Sequence, residues 1–295
     1  MIAPALKPGD TIALVSPSHI ASPEGYAPMI AGIEALGFRV KLAPNLFHGT
    51  YGYASTEADR IADFNAMVND PTVRMIFFGG GEGSIDLLSS IDYAAIARDP
   101  KIFLSYSDGT SILNAIYAHT GVCPYYGMAP RHMVTPTDYA REMFLSHLVR
   151  RDAAELVHAS KWYTLHGGVG KGTLIGGYNW NFALLQGSPQ YPLPLDRDYL
   201  LFIEDHEKFG SVRLVSMFLS HMQQSRLWPC VRGLVFGNYA DTRNDVLLGM
   251  LGRIGERHNI PVVYCDDFGH GEHSAILPIG REAVLDADAQ RLIYR

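Results

Sequence analysis

Short apolar runs alternate with amphipathic stretches along the first part of the chain, and that rhythm limits the folds open to it. Thr11-Ile12-Ala13-Leu14-Val15 reads as a buried strand that ends at the turn Ser16-Pro17-Ser18. Residues 26–36 carry a helical pattern closed by Gly37, and Phe38-Arg39-Val40-Lys41-Leu42 returns as a strand. A second helix is predicted over 56–68, with Thr56 as its N-cap and Ile61, Phe64 and Val68 on its apolar face. Met75-Ile76-Phe77-Phe78 is a third strand, running into Gly79-Gly80-Gly81-Glu82-Gly83-Ser84 before another helix starts at Ile85. Strands alternating with helices predict a parallel sheet with helices on both faces. In such sheets ligands sit beyond the carboxyl ends of the strands.

The next strand end carries the most specific signal. Lys101-Ile102-Phe103-Leu104 reads as a short buried strand, and Ser111 to Tyr117 places apolar residues at helical spacing. Between them, Ser105-Tyr106-Ser107-Asp108-Gly109-Thr110 forms a tight turn of small residues. A serine at such a corner is lifted out of the sheet, with neighbouring amides aimed where a tetrahedral oxyanion would form. A hydroxyl is a poor nucleophile until a base takes its proton, so Ser107 needs a histidine and a carboxylate.

The chain offers both downstream. From about Thr135 to Gly170 the pattern weakens, with charged Val149-Arg150-Arg151-Asp152 and loop-like Leu165-His166-Gly167-Gly168-Val169-Gly170, and a linker is expected over 136–170. Beyond it lie Gly172 to Gly177, the strand Tyr199 to Ile203, a helix over 212–223, the strand Gly233 to Gly237 and a helix from Val246. The strand Pro261 to Cys265 follows, then a closing hairpin of Ala283 to Asp286 with Arg291 to Tyr294. Glu204 and Asp205 directly follow an apolar strand, where a carboxylate is costly unless something hydrogen-bonds it. A histidine ring N–H is one such partner, and His270 stands between Gly269 and Gly271, which leave its imidazole room in a cleft.

Each piece also has a plainer reading. Ser107 could cap the helix after it, and Glu204-Asp205 could cap a helix or solvate a loop. His270 with His273, Asp266 and Asp267 could hold a metal or form a polar loop, although no His-x-x-x-His pair occurs. The glycine run lacks the Lys-Ser/Thr of a P-loop and the spacing of a dinucleotide fingerprint. Asn179-Trp180-Asn181 reads equally as binding polars or turn chemistry.

Bulk properties narrow the partners. The 295 residues suffice for two domains, and 47% apolar with 18% charged residues is ordinary for a globular protein. A net charge of −6 without a basic run argues against nucleic acid, and no apolar stretch approaches the roughly 20 residues of a membrane span. The N-terminus lacks the charged start, apolar middle and cleavage site of a signal peptide, and Cys123, Cys230 and Cys265 are an odd, scattered set. The cytoplasm is the expected compartment.

Together the segments resemble the LD-carboxypeptidase family, serine peptidases that include murein tetrapeptide carboxypeptidases and the microcin C self-immunity proteins. The resemblance runs almost end to end. It begins at Leu6-Lys7-Pro8-Gly9-Asp10-Thr11-Ile12-Ala13 and Ser16-Pro17-Ser18, then takes in Ala58-Asp59-Arg60-Ile61-Ala62-Asp63-Phe64 and Gly80-Gly81-Glu82-Gly83. Tyr106-Ser107-Asp108 matches the family's Gly-Tyr-Ser-Asp, followed by Tyr126-Gly127-Met128. Gly176-Gly177, Phe202-Ile203-Glu204-Asp205, Phe268-Gly269-His270-Gly271 and Leu277-Pro278-Ile279-Gly280 complete it.

The resemblance implies an α/β enzyme with an N-terminal parallel-sheet sandwich domain over 1–135 and a C-terminal α/β, partly barrel-like domain over 171–295. It implies Ser107 as nucleophile, His270 as general base and acid, and Glu204 as the orienting carboxylate. The amides of Asp108 and Gly81 would form the oxyanion hole, with Gly80, Glu82 and Tyr178 at the substrate. No metal or organic cofactor is implied; a small peptide substrate and a homodimer are. The expected reaction cleaves the L,D-bond to a terminal D-Ala in murein peptides. The alternatives are hydrolysis of aminoacyl sulfamoyl- or phosphoramidate-adenylates and a non-catalytic peptide- or nucleotide-binding protein. Four positions depart from the family pattern: Ser105 stands for Gly, Gly79 and Glu82 for the Arg and Tyr of the murein enzymes, and Tyr178 for Asn.

Overall fold

The computed structural model describes residues 1–19, 21–52 and 54–295. Contacts divide the chain between Asp152 and Ala153 into two units, Met1–Asp152 and Ala153–Arg295. The division falls inside the stretch 136–170 where the linker is expected. The first half of that stretch is helical: helix Asp138–Phe144 is capped by Thr137 and continues as a π-helical turn, Leu145–Arg150. Its length of seven residues is too short for the periodicity to stand out. It is held to the first unit by the Leu6 N–H, which donates to the Leu148 carbonyl at 2.8 Å.

The first unit carries β1 (Thr11–Val15), β2 (Arg39–Leu42), β3 (Val73–Phe78), β4 (Ile102–Ser105) and β5 (Tyr125–Tyr126), all parallel, in the order β5-β4-β3-β1-β2. Helices α1 (Pro23–Ala35), α2 (Glu57–Asn69), α3 (Tyr93–Arg98), α4 (Thr110–Thr120) and α5 (Asp138–Phe144) complete it. The Thr56 side chain accepts the Asp59 N–H, so the expected cap starts α2. β1 and β4 are buried at every position, as strands covered on both faces must be. Phe64 of α2 packs against Phe78 and Phe103 at centroid distances of 6.0 and 6.1 Å. Each such ring stabilises the fold by roughly 1.5–3 kcal/mol through burial. The loops after β1, β3 and β4 leave the same edge of this sheet, and they carry Ser16–Ser18, the glycine run and Ser107.

The second unit contains β6 (Tyr163–His166), β7 (Val169–Tyr178), α6 (Asn179–Leu185), β8 (Tyr199–Glu204), α7 (Val212–Gln223), β9 (Val231–Asn238) and α8 (Asp245–His258). After these come β10 (Val262–Gly269), β11 (Leu277–Pro278), β12 (Glu282–Asp286) and β13 (Arg291–Tyr294). A mixed sheet in the order β13-β12-β7-β8-β9-β10-β6 curls into a half-barrel. Its centre, β7 to β10, is parallel, while β12-β13 is the expected antiparallel hairpin. Leu165 to Gly170, expected as loop, is instead the end of β6 and the start of β7, parted only by Gly167-Gly168. Glycines hide strands from a propensity reading, yet here they serve close strand approach: a Cβ on Gly170 would lie 2.0 Å from the Arg232 carbonyl oxygen. Among the described residues no helix is long and apolar enough to cross a membrane.

Candidate active site

In the first unit the chain turns sharply from β4 into a 3₁₀ turn at Ser107–Gly109 that leads into α4. Ser107 has φ +56, a left-handed conformation that a non-glycine residue adopts only when its surroundings enforce it. They do so from both sides: the Ser107 N–H donates to the Tyr126 phenol at 3.0 Å, and the Thr110 hydroxyl donates to the Ser107 carbonyl at 2.6 Å. Gly80 lies against the serine itself. A Cβ there would sit 2.6 Å from Ser107 Cβ and 3.0 Å from its Oγ, so no larger residue fits.

Hydrogen bonds stitch the neighbouring loops to this corner. The Glu82 N–H donates to the Ser18 carbonyl at 2.8 Å, and a Cβ on Gly81, whose φ is +143, would reach within 2.0 Å of the same oxygen. The Asp108 carboxylate accepts the Ser84 N–H at 2.9 Å, while the Ser84 hydroxyl donates to the Asp108 carbonyl at 2.6 Å. Buried Arg60 donates through one nitrogen to the Pro17 and Gly83 carbonyls at 2.8 and 2.9 Å, clamping two loops at once. Among the described residues the Gly81 amide has no acceptor within the protein. It is therefore available to a ligand.

In the second unit Glu204 ends β8 and His270 follows β10, two parallel strands that both border β9. The His270 Nδ1–H donates to Glu204 Oε2 at 2.9 Å. A carboxylate can only accept, so this bond fixes the proton on Nδ1 and leaves Nε2 of the neutral ring as an acceptor. Glu204 is fully buried and the histidine side chain is 9% exposed. Gly269, at φ +112, makes the approach possible, since a Cβ there would lie 3.0 Å from Glu204 Oε2. On the other flank, a Cβ on Gly271 would lie 2.5 Å from the Asn238 side chain.

Rings hold the imidazole in place. Tyr178 and Phe209 meet it edge-on at 5.2 and 5.1 Å, and His206 stands at 6.3 Å. Asp205 points elsewhere: it accepts from the Asn179 side-chain amide at 3.0 Å and the His206 N–H at 2.8 Å. Burial pushes its carboxyl up to about 7, the adjacent Glu204 charge adding and the Asn179 bond opposing. Burial, with Asp205 and Glu204 close by, likewise pushes the Tyr178 phenol upward, and that phenol hydrogen-bonds Asp205.

Comparison with known proteins gives this architecture its family. The model of the LD-carboxypeptidase N-terminal domain matches residues 12–127, and that of the C-terminal domain matches residues 171–285. The chain belongs to the LD-carboxypeptidase family. It is 28% identical to the microcin C7 self-immunity protein MccF of Escherichia coli, across 99% of this chain and 95% of that protein. It is 27% identical to a Bacillus subtilis (strain 168) protein named "Probable murein peptide carboxypeptidase", across 96% and 90%. The crystal structure of an MccF-like protein from Bacillus anthracis superposes with a TM-score of 0.90 at 26% identity, covering 100% of this chain and 98% of the other. As an LD-carboxypeptidase family member, the chain is a serine peptidase.

Within that family frame the departures have local explanations. Ser105 is fully buried, and a Cβ on Gly109 would come within 2.2 Å of its hydroxyl, so Gly109 makes the room that Ser105 takes. Over Gly79 lies the His19 ring, its Cε1 3.0 Å from where a Cβ would stand, and that ring bonds the Tyr26 phenol at 3.0 Å. Glu82 is exposed, whereas Tyr178 is buried against His270. The carboxylates near His270 have other duties. Asp267 accepts the Ala159 and Ser160 N–H groups and the Trp162 indole at 3.0, 2.6 and 2.7 Å, and Asp266 accepts from Asn238 and the Tyr264 phenol at 3.0 and 2.7 Å. Sequence reasoning missed Tyr126, Arg60, Asn179 and the Asp108 side chain as parts of the scaffold. Tyr126, Arg60 and Asp108 carried a signal by lying inside family motifs, and Asn179 was noticed without its role being decided.

Proposed function

We propose that Ser107, His270 and Glu204 form the catalytic triad of a carboxypeptidase acting on the bond to a C-terminal residue. Ser107 Oγ attacks the scissile carbonyl while His270 Nε2 takes its proton. Glu204 orients the ring and stabilises the imidazolium that forms. The amides of Asp108 and Gly81 receive the oxyanion. Collapse of the tetrahedral intermediate breaks the C–N bond, with the proton passing from His270 to the departing amine. Water, deprotonated by the same histidine, then releases the acyl group from Ser107.

The observation that carries this reading is the 2.9 Å bond from His270 to a completely buried Glu204. A carboxylate so desolvated is retained where it has a specific hydrogen-bonding task. The proposed substrate is a murein peptide ending in an L-residue joined to D-alanine, handled in the cytoplasm by a homodimer. A second reading is hydrolysis of an aminoacyl nucleotide analogue. It is favoured by the likeness, at TM-score 0.87 and 25% identity over the whole chain, to MccF in complex with aspartyl sulfamoyl adenosine.

A fluorophosphonate probe tests the shared chemistry: labelling should occur in the native protein and vanish in Ser107→Ala. Absence of labelling in the native protein would favour a pure binder. Turnover of a murein tetrapeptide against an aminoacyl sulfamoyl adenosine separates the two substrate readings.

A further inference from the structure

A carboxypeptidase must read the charge at the end of its substrate, and the nucleophile's own unit holds a cation placed to do so. Arg131 follows β5 on a short 3₁₀ turn, Pro130–Met133. Its guanidinium carbon lies 5.1 Å from the centroid of the Tyr106 ring, and Tyr106 immediately precedes Ser107. The His132 ring meets Tyr106 edge-on at 5.5 Å. This turn is rigidly joined to the elbow. Ser105 pairs with Tyr126, the Gly127 N–H donates to the Ser105 carbonyl at 2.8 Å, and the Ala129 N–H donates to His132 Nδ1 at 2.9 Å.

The other arginines touching this part of the unit are engaged. Buried Arg60 donates to two backbone carbonyls and lies 3.6 Å from the Asp86 carboxylate, and Arg151 donates to the His147 and Ala3 carbonyls at 2.6 and 3.0 Å. Arg131 differs. It is exposed, and among the described residues no carboxylate lies within ion-pair distance of it. Arg131 thus sits exposed beside the Tyr106 ring, and a guanidinium without an ion-pair partner can bind a carboxylate with two parallel hydrogen bonds.

We infer that Arg131 is a specificity-determining residue that receives an anionic group on the leaving side of the scissile bond. This inference rests on the triad reading above. The anion is either the terminal carboxylate of a peptide or the ionised linkage of an aminoacyl sulfamoyl nucleoside. Gly79 offers no side chain to compete for that role.

The test uses two peptides ending in D-alanine, one as free acid and one as carboxamide, together with an aminoacyl sulfamoyl adenosine. Fluorophosphonate labelling of Ser107 serves as a charge-independent control. The native protein should prefer the acid to the amide. Arg131→Gln should cut kcat/KM for the acid by about 10- to 100-fold, mostly through KM, the scale of one hydrogen bond to a charged group. The amide and the labelling rate should change by no more than about twofold, and Arg131→Lys should recover part of the loss. If only the nucleoside analogue is turned over and Arg131→Gln weakens it, the anion is the nucleoside's. Equal loss on acid and amide, or slowed labelling, would reduce Arg131 to a prop for Tyr106 and overturn the inference. A native protein that labels but does not distinguish acid from amide, with analogue turnover indifferent to Arg131, overturns it as well. Absence of labelling and turnover in the native protein removes the triad reading itself, and the inference with it.

Discussion

The surroundings of Ser107 in the first unit and of His270 in the second are made of different material. Around Ser107, what is held is backbone: a left-handed serine, a glycine that lets it approach, and loop amides and carbonyls bonded by the Tyr126, Asp108, Ser84 and Arg60 side chains. Around His270, position is set by side chains: one buried carboxylate on the ring nitrogen and aromatic rings on its flanks. A side-chain half fails one functional group at a time. The left-handed non-glycine residue is therefore in the first and the fully buried carboxylate on the imidazole in the second.

If both halves serve one reaction, the largest effects come from removing one reacting group from each. Ser107→Ala and His270→Ala should each abolish nearly all turnover while the thermal unfolding transition stays in place. The double variant should be little worse than either, because groups that act as a unit lose function non-additively. A Ser107→Ala protein that keeps more than a few per cent of the native rate, contamination excluded, would show that the elbow is not the nucleophile.

The side-chain half predicts a sharp contrast between adjacent carboxylates. Glu204→Gln keeps the shape but cannot stabilise an imidazolium, so kcat should fall roughly 10²–10⁴-fold with KM little changed. Asp205→Asn should be far milder, since Asp205 bonds Asn179 and the His206 amide rather than the ring. Equal losses from the two would mean that the wrong carboxylate has been chosen.

The backbone half predicts sensitivity where no functional group is removed. In Gly80→Ala the new methyl would collide with Ser107 at 2.6 Å, pushing the hydroxyl aside. A shift of that order costs about 10²-fold in rate, and fluorophosphonate labelling should slow in parallel. Gly52, which has φ +82 and open space around its Cα, is a useful control that should cost some stability but no activity on replacement by Ala. Identical outcomes at both glycines would refute the tight fit.

How much of this was legible beforehand follows the same division. The rhythm of strands and helices, the Thr56 cap, the closing hairpin and the tight turn at Ser107 are local, and local spacing reveals them. The glycines could be noticed but not explained, because what each one meets lies far along the chain: Gly80 meets Ser107, and Gly269 meets Glu204. Asn179 illustrates the limit. Its sequence context read equally as turn chemistry, and only the fold places its amide on Asp205, 26 residues on. Likewise Arg60 stood inside a family motif without a role, and only the fold shows it buried and bonded to the carbonyls of two loops. Periodicity tells which face is buried, not which distant group that face meets.

Asp205 also separates stability from catalysis. With its carboxyl raised to about 7 by burial, the folded protein holds a proton that the unfolded chain releases near the ordinary carboxylate value of about 3.9. The stabilising contribution is thus complete below about pH 4 and is lost as pH rises through 7. Asp205→Asn has no such dependence, so the native unfolding temperature should drop relative to the variant between acid and neutral pH, by a few degrees. Melts of both proteins across that range check it. Parallel curves would place the carboxyl in a wetter setting than its burial implies.

The smallest effect is expected at the rim of the backbone half. Glu82 is exposed, and its N–H is committed to Ser18, so its loop is fixed while its side chain is free to face a ligand. It adds a negative charge one residue beyond the proposed oxyanion donor Gly81, on the same unit as the unneutralised Arg131. A free carboxylate at the end of a substrate would be repelled by one and attracted by the other. Across about 10 Å of water the repulsion is worth roughly 0.4 kcal/mol, so Glu82→Gln should raise kcat/KM for the free-acid peptide only about twofold. The carboxamide should be unaffected. Salt sharpens the comparison, because about 0.15 M screens charges beyond roughly 8 Å: the gain should be present at low ionic strength and fade at high. In the Arg131→Gln background the same Glu82 change should persist, since each charge acts on the substrate separately. A Glu82→Gln protein indistinguishable from the native one at every ionic strength would mean that the side chain faces bulk solvent, and the rim would then be read by Arg131 alone.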